Sequence, residues 1–370
     1  MQNFFFMIRF NGYNSWQNRW SRQGVLSLPF IIKLPGVITV LLVLMQLCVK
    51  GQAGAGMKVG DSNKHYHDSI RRAGYPYRFP ILGSKMVEKG FSVQYPVGAM
   101  LNFTNGSQKV DITDLKVGFN DVAPVPLDFI RFGEVKATMQ SVTSRVDLWV
   151  LPFVDLYGIV GLVQAKTNVN IASPFQFSSE ADFKGYTMGL GTTLAGGYHG
   201  IITISDINYT WSHLNKLDDV VKSLMVTPRV GYNFTFKEKP YKSVALWVGA
   251  TGFFVNQGTS GAIDLSDLGP SMSKDQAEKI IAETEQWYQT LTKPQQTVVK
   301  RIAQAILNKI NNLPDDITVN YSLKKTPVSH WSMVIGGQYQ FNKRWQVRTE
   351  VGFLGGRSSV LLSGNYRWRW

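Results

Sequence analysis

Few groups in this 370-residue chain are arranged to do chemistry: five histidines, one cysteine and scattered charges in alternating segments. His65 and His67, in Lys64-His65-Tyr66-His67-Asp68, are spaced to hold a metal but have no evident third ligand. The same spacing suits an exposed tail, so no metal site is expected. Adjacent Ser212 and His213 could suggest a hydrolase working at a lipid boundary. On a strand, however, neighbours point to opposite faces, whereas a base must reach its nucleophile within a hydrogen bond. With no third member in sight, no catalytic residue is assigned and no enzyme is expected. The glycine-rich run 189–197 opens no helix, so it reads as strand and turn rather than a phosphate loop. No cofactor is implied.

What remains is a set of charges on one face of alternating segments: Arg145, Asp147, Asp206, Arg229, Arg348, Glu350, Arg367 and Arg369. Five arginines against three acids leave the set net positive. If that face looks into a narrow interior, the charges either pair in a salt-bridge network or form a constriction for a small anion or polar ligand. The network reading weighs more where the interior holds little beyond side chains.

The elements that must position these residues are strands. Hydrophobic residues make up 44% of the chain, aromatics 12% and charged residues only 17%, which excludes a disordered chain. One cysteine excludes a disulfide scaffold. No run reaches ~20 clean apolar residues outside the N-terminus, which argues against a helical membrane bundle. The formal charge of +14 falls to +9 without residues 1–55, which hold five basic residues and no acid. The remaining basic residues are dispersed among Trp, Tyr and Gly, so no nucleic-acid partner is expected.

Beyond residue 90 the pattern alternates with period two. Val360, Leu362, Gly364, Tyr366, Trp368 and Trp370 share one face, opposite Leu361, Ser363, Asn365, Arg367 and Arg369. Val347, Val351 and Phe353 oppose Gln346, Arg348 and Glu350, and similar faces recur in 226–236, 183–194 and 331–341. Val146, Leu148 and Val150 oppose Arg145 and Asp147, with Trp149 on the charged side. Apolar residues on one face and charges on the other suit a strand between lipid and water. The same alternation fits a soluble sandwich, but the terminal tryptophans on the apolar face favour a membrane interface.

Short turns at 152–153, 196–200, 237–242 and 342–344 alternate with longer segments at 172–180, 213–223 and 256–327. The spacing therefore predicts an all-β, antiparallel, up-and-down transmembrane barrel of about ten strands. Their expected ranges are 94–111, 134–150, 154–170, 181–195, 199–212, 224–237, 243–256, 328–341, 344–354 and 357–370. The count should be even, with both chain ends on one side. Splitting the first strand at the hairpin signal Asn105-Gly106 is an alternative route to twelve. Residues 273–291 and 294–311 predict a helical hairpin within an insert at about 271–313, with Ser273 and Gln276 as a capping box and Pro294 in a first turn. Such a hairpin either caps the barrel mouth or decorates a loop.

Residues 37–48 form an apolar run after a basic, acid-free stretch and precede Ala53-Gly54-Ala55, the three parts of an export signal. Residues 1–55 thus read as signal peptide and upstream segment, 56–90 as a flexible periplasmic lead and 91–370 as the barrel. The alternative is an anchoring helix over 25–49, interrupted by Lys33, Pro29 and Pro35.

The C-terminal Asn365-Tyr366-Arg367-Trp368-Arg369-Trp370 resembles the terminal signal of Gram-negative outer-membrane β-barrels. Residues 145–153, leading to Tyr157-Gly158, are similar to a stretch recurring in uncharacterised barrels of this kind. The likeness covers about residues 91–370, and the helical hairpin departs from it. It implies location in the cell outer membrane and Tyr366, Trp368 and Trp370 as an insertion signal read by the outer-membrane insertion machinery. Outer-membrane lipids, lipopolysaccharide and a small polar ligand complete the expected partners. Three functions stay open: a narrow channel, transporter or ligand-binding barrel; a structural or surface-interaction barrel; and a lipid-modifying outer-membrane enzyme.

Overall fold

The computed structural model describes residues 56–57, 64–119, 122–173, 177–236, 238–256, 258–264, 288–310 and 318–370. The export signal and the first helix of the expected hairpin lie outside these residues, apart from that helix's last few positions.

The described chain begins with a small cap. Strand β1 (Gly56–Met57) pairs with β2 (Ser92–Val93), and helices α1 (Lys64–Ala73) and α2 (Gly83–Glu88) lie between them. Ile70, Val87 and Val93 form its core, with Tyr66, Tyr75 and Met86 packed around them. The stretch read as a flexible periplasmic lead thus contains two short helices and a strand pair. Helices this short are marginal alone, and this cap gains support from the barrel, where the Ile81 N–H donates to the Val150 carbonyl at 2.8 Å.

Ten strands follow as one closed ring. In chain order they are β3 (Val97–Phe119), β5 (Arg131–Leu151), β6 (Val154–Ser173), β7 (Phe177–Tyr198), β8 (Ile201–Leu214), β9 (Val221–Thr235) and β10 (Ser243–Val255). The last three are β13 (Trp331–Gln340), β14 (Trp345–Phe353) and β15 (Arg357–Trp368). Each pairs antiparallel with its neighbour, and β3 closes the ring by pairing with β15 on one side and β5 on the other. Asn105 and Gly106 lie in mid-strand, opposite Val360 and Ser359. The twelve-strand alternative is thereby excluded.

The turns beside the chain ends are tight. His199 and Gly200 join β7 to β8 with φ of 50° and 89°, the left-handed pair that a two-residue hairpin requires. A side chain on Gly200 would also strike the Tyr232 ring, 2.5 Å from a Cβ there.

At the other end β3 runs past the ring. Its distal half pairs with β4 (Val122–Pro126) on one edge and β12 (Thr318–Pro327) on the other, and β12 pairs with β11 (Gly258–Asp264). Sequence alone placed 256–327 in a long connection with helices; these strands are an addition. Helix α3 (Lys293–Ile310) matches the expected second helix and touches β4 and β3. Gln295 caps it by accepting from the Thr292 N–H at 3.0 Å, and Val298 and Val299 are buried.

The outer wall is apolar. Leu162 is 69% exposed, Val360 47% and Val351 45%, in company with Leu101, Val146 and Leu246. Such a band would be an aggregation hazard in water and is what a strand facing hydrocarbon presents. Aromatic residues frame it. Trp331, which opens β13, and Phe341, just past its end, are ten steps apart on the same face, which at ~3.4 Å per residue and a tilt near 40° spans about 26 Å, the thickness of a barrel's lipid band. Among the described residues no helix is long and apolar enough to cross a membrane.

Candidate functional site

The inner wall carries the charges, and ring closure brings them together near the end that holds the C-terminus. Arg145 and Asp147 of β5, Asp206 of β8, Arg229 of β9, Arg348 and Glu350 of β14 and Arg367 of β15 are all buried. Each sits on the inward parity of its strand, as alternation requires.

Their contacts form one connected network. Arg367 faces Asp147 at 2.7 Å and donates to the Tyr95 and Pro96 carbonyls at 2.8 and 3.1 Å. Asp147 lies 3.9 Å from Arg145, which ion-pairs with Asp155 and donates to Thr193 Oγ1 at 3.2 Å. Thr193 in turn donates to Asp206 at 2.6 Å. Asp206 accepts from Arg229 at 2.9 Å and from Arg348 at 3.1 Å. Glu350 completes the chain, accepting from Arg348 Nε at 2.9 Å, Arg229 at 3.2 Å and the Trp247 indole at 3.1 Å.

Glycines make room for this assembly. A Cβ at Gly98 of β3 would lie 2.8 Å from Arg367 and Asp147, and one at Gly336 of β13 would lie 2.7 Å from Glu350. Eight strands thus supply side chains to the network and the remaining two supply space. Tyr157 of β6 stacks under the Arg145 guanidinium at 3.4 Å and donates to Asn208 at 2.7 Å. Its ring occupies the space over Gly191 of β7, where a Cβ would come within 2.3 Å.

Two corrections to the sequence-derived set follow. Arg369 lies outside the lumen: it is exposed past the last strand pairing and donates to the Tyr95 hydroxyl at 3.3 Å. Asp155, fully buried, belongs to the network. It follows the Pro152-Phe153 turn on the inward parity, opposite the outward Leu156, a signal that assigning faces to β6 would have revealed. With these changes four arginines meet four acids, and the net positive constriction becomes a neutral lattice. Trp247 and Tyr157 were also missed, because an inward aromatic looks like an outward one until its face is known.

Further along the lumen the wall is lined by small polar groups. Asn102 donates to Thr143 at 3.4 Å, Thr210 and Ser223 share a hydrogen bond of 2.7 Å, and Ser212 donates to Thr187 at 3.0 Å. Thr187 is buried and the other five are only partly buried. His213 points the other way and stacks on Tyr186, 4.8 Å between ring centres. Ser212 and His213 therefore do not form a nucleophile–base pair. Among the described residues no group of three His, Cys, Asp or Glu is placed to hold a metal ion. The histidines at 65 and 67 fall in α1.

No protein-family model and no curated protein matches the chain. Solved structures with which it shares some similarity are bacterial outer-membrane barrels. The β-domain of the Bordetella autotransporter BrkA is 9% identical, with 74% of this chain and 100% of that chain covered and a TM-score of 0.36. The outer membrane protein OprG from Pseudomonas aeruginosa is 8% identical over 74% and 98% of the two chains, with a TM-score of 0.34. The translocator domain of the autotransporter NalP from Neisseria meningitidis is 10% identical over 83% and 100%, with a TM-score of 0.32. Superposition at these scores carries no argument about activity; the barrel reading rests on this chain's own pairing and faces.

Proposed function

We propose that this chain is a non-enzymatic outer-membrane barrel acting as a narrow, gated channel or binding vessel for small polar solutes, with the charged network as its gate. The observation that carries this reading is a polar lumen wall standing above a neutral lattice of four arginines and four acids. Such a lattice holds because every member is paired; removing one leaves an uncompensated buried charge. Closed, it blocks ions. Rearranged, it would expose a charged constriction to a solute held on the Asn102 amide and the hydroxyl groups of Thr143, Thr210 and Ser212.

Location in the outer membrane of a Gram-negative cell is supported by the apolar outer wall, the aromatic C-terminus and the export signal read in residues 1–55. On this reading the short turns face the periplasm, and the insertion machinery recognises the β15 end with Tyr366, Trp368 and Trp370.

A second reading has one observation in its favour. The β11–β12–β3–β4 extension with α3 docked on it resembles a platform, which suits a surface-interaction barrel. Planar-bilayer recordings separate the two. The wild type should conduct rarely, and Arg348→Ala should open more often or pass larger currents. Silence from both proteins would leave the lattice as structural filling and favour the platform.

A further inference from the structure

The two rims treat their charges differently. At the long-connection rim Lys116, Lys136 and Lys222 have no carboxylate within salt-bridge distance among the described residues, but three lysines pair: Lys109 with Glu134 at 2.7 Å, Lys166 with Glu180 at 2.8 Å, and Lys324 with Asp114. At the terminal rim the described residues of the turns and tail carry Lys239, Lys242, Lys343, Arg344 and Arg369 against Glu238 alone. None of these five cations has a carboxylate within salt-bridge distance among the described residues.

Arg369 donates to the Tyr95 hydroxyl at 3.3 Å, and Lys343 and Arg344 add their charges to its surroundings. Burial pushes its phenol up, but the hydrogen bond from Arg369 and the charges of Arg369, Lys343 and Arg344 outweigh this and bring it below the usual tyrosine range. Arg344 also donates to the Tyr366 hydroxyl at 3.3 Å, so the cations sit directly over the aromatic girdle. Trp345 and Tyr366 pack at 4.8 Å there, and Phe79 of the cap stacks on Trp370 at 6.4 Å.

Beside Trp368 and Trp370 the outer wall has a notch. Gly158 lies opposite Val146 on one side and Leu190 on the other, and a Cβ at Gly158 would meet nothing within 4 Å. The resulting groove, about 650 Å³, is bounded by Leu148, Leu156, Trp368 and Trp370. An apolar trough on the hydrocarbon face, running up to unpaired cations at headgroup depth, matches one amphiphile.

We infer that the terminal rim binds an anionic phospholipid, its headgroup phosphate held by Lys343, Arg344 and Arg369 and one acyl chain laid along the Gly158 groove. The cations supply charge-assisted donors to the phosphate, while the tryptophans hold the glycerol level. The site works equally for a conducting and a silent barrel, so it stands apart from the gating proposal.

Native mass spectrometry of the folded full chain in detergent, titrated with phosphatidylglycerol or phosphatidylcholine, tests this. Wild type should retain phosphatidylglycerol in at least about fivefold preference, since even one basic residue at an anionic surface is worth about that factor. The triple variant Lys343→Gln, Arg344→Gln, Arg369→Gln should lose the preference, whereas Lys109→Gln with Lys166→Gln at the opposite rim should keep it. Gly158→Leu should weaken retention of both lipids by filling the groove. Equal retention of the two lipids by wild type would overturn the inference whether or not a variant folds. So would a preference that survives the triple substitution, or displacement of the lipid by millimolar inorganic phosphate, which would mark a soluble anion site.

Discussion

Glu350 accepts from two arginines and an indole, and Asp206 accepts from the same two arginines and from Thr193. Glu350→Gln would leave Arg229 and Arg348 sharing Asp206 in a dry interior. Breaking a buried pair in this way costs about 3–5 kcal/mol, so the folded, heat-sensitive form should melt markedly earlier in a gel-shift series. Gly191 and Gly158 offer a second test at the same scale, since they lie one register step apart on opposite faces of the wall. Gly191→Ala drives a methyl into the Tyr157 ring and should cost about 1–3 kcal/mol. Gly158→Ala projects into open space and should leave the melting point close to that of the wild type. Equal effects from the two alanines would mean the faces are wrongly assigned.

Strands answer to a different substitution. Val351 lies between Glu350 and Gly352 on β14, exposed on the outer wall and paired with Ile335 and Val360. A lysine in mid-bilayer on that face costs about 2–4 kcal/mol. Val351→Lys should therefore lower the yield of folded barrel in lipid vesicles, while remaining soluble in urea. Normal insertion of that variant would shift β14 by one residue and invert every face described. The end of β15 is the other element to probe. Trp370, 72% exposed, packs only on Phe79 among the described rings, so its removal should spare barrel stability. Deleting it should instead reduce the amount of protein reaching the outer membrane, measured by fractionation at native expression. Unchanged assembly would argue against its role as an insertion signal.

Taken together, the described residues form a ring closed by β3 on β5, with a cap at one rim and a strand-and-helix extension at the other. A closed ring has no unpaired edges, so it should resist detergent unfolding until heated. Unboiled and boiled samples should migrate differently on a gel, and identical migration would remove the barrel as a description. Because the lattice spans the ring, its failure would be felt by all strands together, and unfolding should be a single transition.

The period-two alternation was sufficient to find ten strands, their lipid and lumen faces, and seven of the buried charges. Side-chain direction along a strand is a local property, written in consecutive residues. The partners of those charges were not legible. Asp206 meets Arg348 across 142 residues and Arg229 meets Glu350 across 121, distances bridged by closure and register rather than by neighbouring sequence. Arg369 shows the limit from the other side: it has the same parity as Arg367, but pairing ends at Trp368 opposite Val97, so no wall remains to enclose it. The cap escaped notice for a related reason, since α1 and α2 are too short to announce themselves and are held by contacts with the barrel end. Strands β11 and β12 likewise needed the overhanging half of β3 as a template. Face and period belong to the sequence; enclosure and partnership arise only when the ring closes.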